Sequence, residues 1–211
     1  MNFRFILSLQ GLLMVINGGF MLLGLPFSFY FRESPWPLLI SGVGTIAVGL
    51  FFWLFFRHVD KSRGLTKKDG YLVVGLAWIT LSVFGMFPYI ISGTIPSITN
   101  AFFETISGFT TTGATILTDI EAVPHGILFW RSLTQWIGGM GIIVLAVAFL
   151  SLVGVGGMQL FVAEAPGIPP DKVKPRIQDT AKRLWLIYVG LTLLETLLLK
   201  LGGMSFFDAI N

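Results

Sequence analysis

The apolar residues of this chain fall into five long blocks separated by shorter polar stretches. The blocks cover residues 5–31, 38–56, 71–91, 126–155 and 184–201. Crossing a bilayer takes about 20 apolar residues in a helix, so each block predicts one membrane-spanning helix. The first two blocks, joined by the short turn at 32–37, predict a helix hairpin. The pattern therefore predicts an all-α membrane protein with five membrane-spanning helices.

One stretch between the third and fourth blocks departs from this pattern. Residues 100–115 read NAFFETISGFTTTGAT, and positions 101–109 predict a short helix. The three β-branched residues 110–112 disfavour its continuation, and Gly113 permits backbone angles that other residues avoid. At membrane depth, extended backbone is tolerated only where it is buried in protein or lines water. The stretch therefore predicts an ion-channel pore loop, with an ordinary polar turn as the alternative.

Composition supports the membrane assignment and narrows the function. The chain is 54% hydrophobic and only 12% charged, whereas soluble domains carry about 25% charged residues. It has no cysteine, which excludes disulfides, thiol catalysis and Cys-ligated metals. We expect no enzyme activity, because the apolar blocks hold no cluster of His and carboxylate residues. His58 and His125 are too far apart in sequence to predict a metal site.

The basic residues predict the orientation of the chain. Eleven of the 14 Lys and Arg residues are Arg4 or belong to the polar loops 57–70 and 158–183, and three lie on the other side. The positive-inside rule therefore predicts a cytoplasmic N-terminus, with residues 100–115 entering from the outer face. Loops beside membrane helices attract anionic lipid head groups, so the net charge of +3 does not indicate a nucleic-acid partner.

The Thr/Gly pattern has the chemistry that a cation filter needs. Backbone carbonyls and Thr hydroxyls can replace the water that an ion sheds, and about four such strands complete a ring. The C-terminal, partly negative end of the preceding helix favours a cation. A second copy of the motif begins near the end of the chain: SFFDAIN aligns with AFFETIS at an offset of 104 residues, which pairs Asp208 with Glu104. The pore therefore requires either several chains or several motifs in one polypeptide.

Several other residues leave two interpretations open. Glu104 either hydrogen-bonds the neighbouring backbone behind the filter or is partly solvated at the outer vestibule. Arg131 either snorkels to the interface or pairs with an acid such as Asp119. Glu195, within the fifth block, is either functional or paired with a helix outside this stretch. Three tryptophans near block ends are predicted to be interfacial anchors: Trp36, Trp130 and Trp185.

Two motifs in sequence carry a resemblance to a known family. NAFFETISGFTTTGAT followed by FWRSLTQWIGGMGIIVL resembles the Trk/Ktr/HKT superfamily of potassium transporters, and within it the bacterial Trk membrane (pore) subunit. Members have four helix–pore loop–helix repeats in one polypeptide. By resemblance, residues 1–69 form the N-terminal hairpin and a cytoplasmic loop, and 70–157 the first repeat. A second cytoplasmic loop covers 158–183, and 184–211 start a second repeat that stops before its filter.

The resemblance implies potassium transport, through a filter of which residues 110–115 are one of four strands. The implied potassium ligands are Thr111 and Thr112, and the implied filter backbone and support are Thr110, Gly113, Ala114, Thr115 and Glu104. Potassium is the substrate, as in symport, and no covalently bound cofactor is implied. The implied context is a multi-pass homodimer in the bacterial inner membrane, in contact with lipids and bound to a cytoplasmic nucleotide-binding regulatory ring. The alternative is a non-conducting truncated fragment or scaffold that pairs with other membrane subunits.

Overall fold

The computed structural model describes residues 3–57, 67–141 and 174–211, and every regular element in these ranges is a helix. The chain divides into two units, Met1–Gly139 and Met140–Asn211. The first unit contains seven of the described helices: α1 Phe3–Leu22, α2 Leu25–Tyr30, α3 Trp36–Phe56, α4 Lys67–Gly85, α5 Phe87–Ser92, α6 Ile98–Phe109 and α7 His125–Gly139. The second unit contains α8 Lys174–Leu201 and α9 Phe206–Ile210.

Four described segments are long and apolar enough to cross a membrane. They are Phe3–Tyr30, Trp36–Phe56, Asp69–Ser92 and Arg183–Leu201. They match the first, second, third and fifth apolar blocks, which confirms the predicted all-α membrane class. The fourth block begins as α7, and its continuation from residue 142 lies outside the described residues. A fifth span therefore stays a prediction.

Two of these spans are interrupted just before a proline. α1 gives way to α2 ahead of Pro26, and α4 gives way to α5 ahead of Pro88. Proline lacks a backbone N–H and is tolerated in the first turn of a helix, so each interruption restarts the helix at a position that accepts it. The N–H of Tyr89 bonds to the Met86 carbonyl. The Gly85 carbonyl is thereby left free for a partner from outside the helix.

That partner is Trp130. Its indole Nε1 donates to the Gly85 carbonyl at 2.9 Å, and its side chain is fully buried. The prediction that Trp130 is an interfacial anchor is therefore wrong, because its N–H completes the broken helix instead of meeting head groups. Trp36, by contrast, is 61% exposed at the start of α3, as an anchor should be.

The N-terminal hairpin is closely packed and is bonded to the α4 helix. α1 and α3 approach at glycines: a Cβ added to Gly11 would lie 2.6 Å from the Gly49 carbonyl oxygen. On another face of α1, the buried amide of Gln10 donates to the Val73 carbonyl at 2.8 Å. Small residues let membrane helices approach closely, and interhelical hydrogen bonds fix their register. The predicted hairpin is present, and α1 lies between α3 and α4.

The capping serines of α6 and α9 set the register of the repeated motif. Ser97 accepts a hydrogen bond from Asn100 N, and Ser205 accepts one from Asp208 N. Matching the two caps gives an offset of 108 residues. This differs by about one helical turn from the offset in the sequence alignment. In the cap register Asp208 corresponds to Asn100, and not to Glu104.

Candidate functional site

The Thr/Gly stretch, residues 110–115, leaves the C-terminal end of α6 through a Schellman turn. The N–H of Thr111 donates to the Gly108 carbonyl at 2.9 Å, and the N–H of Thr112 donates to the Ser107 carbonyl at 3.0 Å. This pair of bonds satisfies the last carbonyls of a helix. It requires a left-handed backbone at the first residue after the helix cap. Thr111 takes that position with φ of 54°. Glycine is the usual residue there, and a β-branched residue makes this a strained turn.

The turn directs two backbone carbonyls away from the helix. In a trans peptide the C=O of one residue points opposite to the N–H of the next. The N–H groups of Thr111 and Thr112 point back into α6, so the carbonyls of Thr110 and Thr111 point outward. Gly113 follows with φ of 73°, a second left-handed residue. The sequence indicated the special geometry of Gly113, but nothing in it indicated that of Thr111.

The three threonine hydroxyls donate their hydrogens within the protein. Thr110 Oγ1 donates to the Ile106 carbonyl at 2.7 Å, and Thr111 Oγ1 donates to the Thr110 carbonyl at 2.7 Å. The hydroxyls of Thr110 and Thr112 are 2.8 Å apart, and Thr112 must be the donor because the single hydrogen of Thr110 is already used. All three residues are exposed. The three hydroxyls therefore offer oxygen lone pairs, and no hydrogens, to a ligand.

The far end of the stretch is held by a buried carboxylate on α6. Glu104 Oε1 and Oε2 accept from Thr115 Oγ1 at 2.9 and 3.0 Å, and Oε2 also accepts from Ile116 N at 3.0 Å. One turn further along α6, Ser107 Oγ donates to the Ala114 carbonyl at 2.6 Å. The Ala114 carbonyl therefore points back towards α6. The stretch is tied to the same helix at both of its ends.

Arg131 on α7 neutralises this carboxylate. Its Nε lies 2.7 Å from Glu104 Oε1, and the two side chains are 13% and 1% exposed. Sequence reasoning offered Asp119 as a partner of Arg131. The structure corrects this, because Asp119 lies in the loop after the stretch and accepts from Ala122 N at 3.2 Å. The better signal in the sequence was Glu104 itself, since an acid buried between apolar blocks needs a cation nearby.

α7 also touches the end of α6 where glycines remove side chains. A Cβ on Gly138 would overlap the Phe109 carbonyl oxygen, and a Cβ on Gly108 would overlap the Thr134 hydroxyl. The Phe109 and Trp130 rings meet edge to face at 6.2 Å between centroids. At these glycines the two helices are in direct contact, so the last turn of α6 cannot shift towards α7 without a steric clash.

The sequence offered three other candidate residues, Glu195, His58 and His125. Glu195 is exposed on α8, in the second unit of the chain. His58 lies outside the described residues. His125 begins α7 and pairs with Glu33 at 2.7 Å, at the opposite end of that helix from Gly138.

Comparison with known proteins gives a consistent set of similarities. A family model described as "TrkH: Cation transport protein" matches residues 39–202. The Trk system potassium uptake protein TrkH of Escherichia coli K12 is 46% identical over all of this chain, which spans 44% of that protein. TrkG of the same strain is 38% identical over 86% of this chain and 38% of its own length. The crystal structure of the potassium transporter TrkH from Vibrio parahaemolyticus matches all of this chain, which covers 42% of that structure, at a TM-score of 0.79 and 38% identity.

Proposed function

Because the chain belongs to the TrkH cation transport protein family, we propose that it supplies one of four filter strands, residues 110–115, to a potassium-conducting pore. The proteins of this family are transporters and not enzymes. The chain spans less than half the length of the relatives that it matches. We therefore assign potassium transport to the full-length gene product that contains this sequence.

The observation that carries this proposal is the fixation of the Thr/Gly stretch at both ends. The Schellman turn holds its start, and the Glu104 carboxylate holds its end at Thr115 and Ile116. Between them the residues are exposed, and the carbonyls of Thr110 and Thr111 point away from α6. A filter must keep its oxygens in place while the ion sheds its water, and ties at both ends provide such rigidity.

The oxygens between these ties suit a large monovalent cation. They are neutral carbonyl and hydroxyl groups, the ligand type that replaces the hydration shell of potassium in known filters. We assign Thr111 and Thr112 as the potassium ligands and Gly113 as the filter glycine. Ala114 and Thr115 support the backbone from behind, because their polar groups bond to α6. The C-terminal end of α6 adds a partial negative charge beside the ion.

We further propose the membrane context that the basic loops and the resemblance imply. The N-terminus is cytoplasmic and the Thr/Gly stretch opens to the outer face of the bacterial inner membrane. The domain boundaries are those given by the sequence, with the hairpin at 1–69 and the first repeat at 70–157. The full-length product forms a homodimer that binds a cytoplasmic nucleotide-binding regulatory ring, and the exposed apolar faces contact lipid.

The filter assignment is tested with Gly113→Ser in the full-length gene product. A Cβ at Gly113 meets no atom within 4 Å, so the substitution acts through the left-handed backbone alone. That conformation costs other residues about 1–2 kcal/mol, so we expect roughly a tenfold fall in the preference for potassium over sodium. Uptake is measured in bacteria that lack other potassium uptake systems.

Gly75→Ser is the matched control, because Gly75 also faces open space but lies in the middle of α4 without a left-handed φ. It should leave the ion preference unchanged. An unchanged preference in Gly113→Ser would contradict the filter assignment. Absence of potassium uptake by the unaltered full-length product would favour the non-conducting scaffold instead.

A further inference from the structure

A carboxylate from the N-terminal hairpin caps the helix that carries Arg131. Glu33 lies in the turn between α2 and α3, 92 positions before His125 in the sequence. Its Oε1 lies 2.7 Å from His125 Nδ1, and its Oε2 accepts from the backbone N–H of Gly126 at 3.3 Å. The first N–H groups of a helix have no partner within it, and a negative charge there is favourable. Pro124, just before α7, has no side chain that could cap it.

Apolar contacts lock the same turn of α7 against the hairpin. The Phe31 ring stacks on the His125 ring with centroids 3.6 Å apart, and the Phe27 and Phe129 rings lie 4.4 Å apart. A Cβ on Gly126 would overlap Ser28 Oγ. Capping, ring stacking and close backbone approach therefore act together. Both polar and apolar contacts therefore hold the start of α7 against α2 and the α2–α3 turn.

α7 connects this contact to the Thr/Gly stretch. Arg131 lies six residues after His125, or about 9 Å along the helix axis. The guanidinium meets Glu104, and Glu104 meets Thr115 and Ile116. A tilt of the first turn of α7 must move Arg131, because a helix transmits displacement as a rigid element.

We propose that Glu33 is a positioning residue for the Thr/Gly stretch, acting through α7, Arg131 and Glu104. This inference rests on the proposed filter function of residues 110–115. It gives the N-terminal hairpin a role in ion preference as well as in packing. The hairpin side of the contact comprises Phe27, Ser28, Phe31 and Glu33.

The test compares Glu33→Gln with Glu104→Gln and with the double variant in the full-length gene product. Glu33→Gln removes the negative charge at the start of α7, and its NH₂ can face His125 only in the tautomer whose Nδ1 carries no hydrogen, so the cap on α7 is weakened. We expect the potassium-over-sodium preference to fall about 2- to 30-fold, the range for residues that act on a site without touching its ligand. In the double variant the preference should fall no further than in Glu104→Gln, since both act along one path.

Controls separate positioning from simple stability. Arg32→Gln removes a neighbouring exposed charge and should leave the preference unchanged. Glu33→Asp keeps the charge with a shorter reach, so it should fold and show a smaller fall. If Glu33→Gln lowers the amount of active transporter but not its ion preference, the positioning role is refuted. If Glu33→Gln does not fold and Glu33→Asp leaves the preference unchanged, it is refuted as well.

The outcome also distinguishes this inference from the proposed function. If Glu104→Gln shifts the preference and the Glu33 variants do not, the inference fails and the filter assignment stands. If none of these variants shifts it, the filter assignment fails and the inference fails with it.

Discussion

Replacing Glu104 by glutamine exchanges a single oxygen for an NH₂ group and should still disturb the end of the Thr/Gly stretch, because both oxygens of the carboxylate accept hydrogen bonds. The carboxylate has two acceptor oxygens, one facing Arg131 Nε at 2.7 Å and the other facing Ile116 N at 3.0 Å. An amide has one acceptor and one donor group. In either orientation, its NH₂ faces a donor and one of the two partners loses its acceptor.

The loss of stability depends on which of the two donors, Arg131 Nε or Ile116 N, loses its acceptor. Leaving Arg131 without an acceptor would cost about 3–5 kcal/mol, because the guanidinium, itself only 13% exposed, would be left as an uncompensated charge. Leaving the Ile116 N–H unpaired costs about 1–3 kcal/mol. The amide therefore keeps its oxygen on Arg131 and turns its NH₂ to the strand. With the weaker, uncharged pairing added, we expect a loss of about 2–4 kcal/mol in the free energy of unfolding, concentrated at the end of the Thr/Gly stretch.

The assay is a double-mutant cycle on the full-length gene product, with unfolding followed in mixed micelles of mild detergent and sodium dodecyl sulfate. The cycle compares Glu104→Gln, Arg131→Met and the double variant. Because Arg131→Met leaves the Glu104 carboxylate buried without a cation, and Glu104→Gln leaves the Arg131 guanidinium without a charged partner, the double variant should lose at least about 1.5 kcal/mol less than the sum of the two. Glu121→Gln, in the exposed loop, is the control and should stay within about 0.5 kcal/mol of the parent. Additive losses would refute the coupling of Glu104 to Arg131.

Two further changes test the contact of Gly138 with α6 and the role of the Thr111 hydroxyl. Gly138→Ala places a methyl group on the Phe109 carbonyl, so it should destabilise by about 1–3 kcal/mol and lower potassium uptake, measured by unfolding and flux. Gly75→Ala, in open space on α4, should instead be neutral or slightly stabilising, and equal effects would contradict the contact. Thr111→Gly relieves a left-handed threonine, so unfolding should become harder by about 1 kcal/mol while potassium preference falls with the lost hydroxyl. A preference that stays the same would remove the Thr111 hydroxyl from the ligands.

The sequence was sufficient for the helical class, because block lengths alone require membrane helices. It also located the break after α6, since three β-branched residues and a glycine disfavour helix. The partner of Arg131 could not be found in this way. Asp119 is nearer in sequence than Glu104, but a buried acid draws its cation from whatever helix packs beside it. Pairing across helices depends on packing, which periodicity does not record.

Trp130 illustrates the same limit at a different site. Its place near the end of an apolar block is typical of an interfacial anchor, yet it is buried and bonded to Gly85. The reason lies in Pro88, whose helix break leaves the Gly85 carbonyl free. The proline was visible in the sequence, but the residue that would occupy the freed carbonyl was not. Glu33 is a further case, because its partners lie 92 and 93 positions away.

The central claim, that Thr111 and Thr112 in the filter strand 110–115 bind a potassium ion, is tested most directly by ion density. The full-length gene product would be crystallised in rubidium, a potassium substitute with anomalous scattering, and separately in sodium. We predict an anomalous peak within coordination distance of the oxygens of Thr111 and Thr112 in rubidium, and its loss in Gly113→Ser. A rubidium peak found elsewhere in the pathway, with none beside Thr111 and Thr112, would contradict the claim.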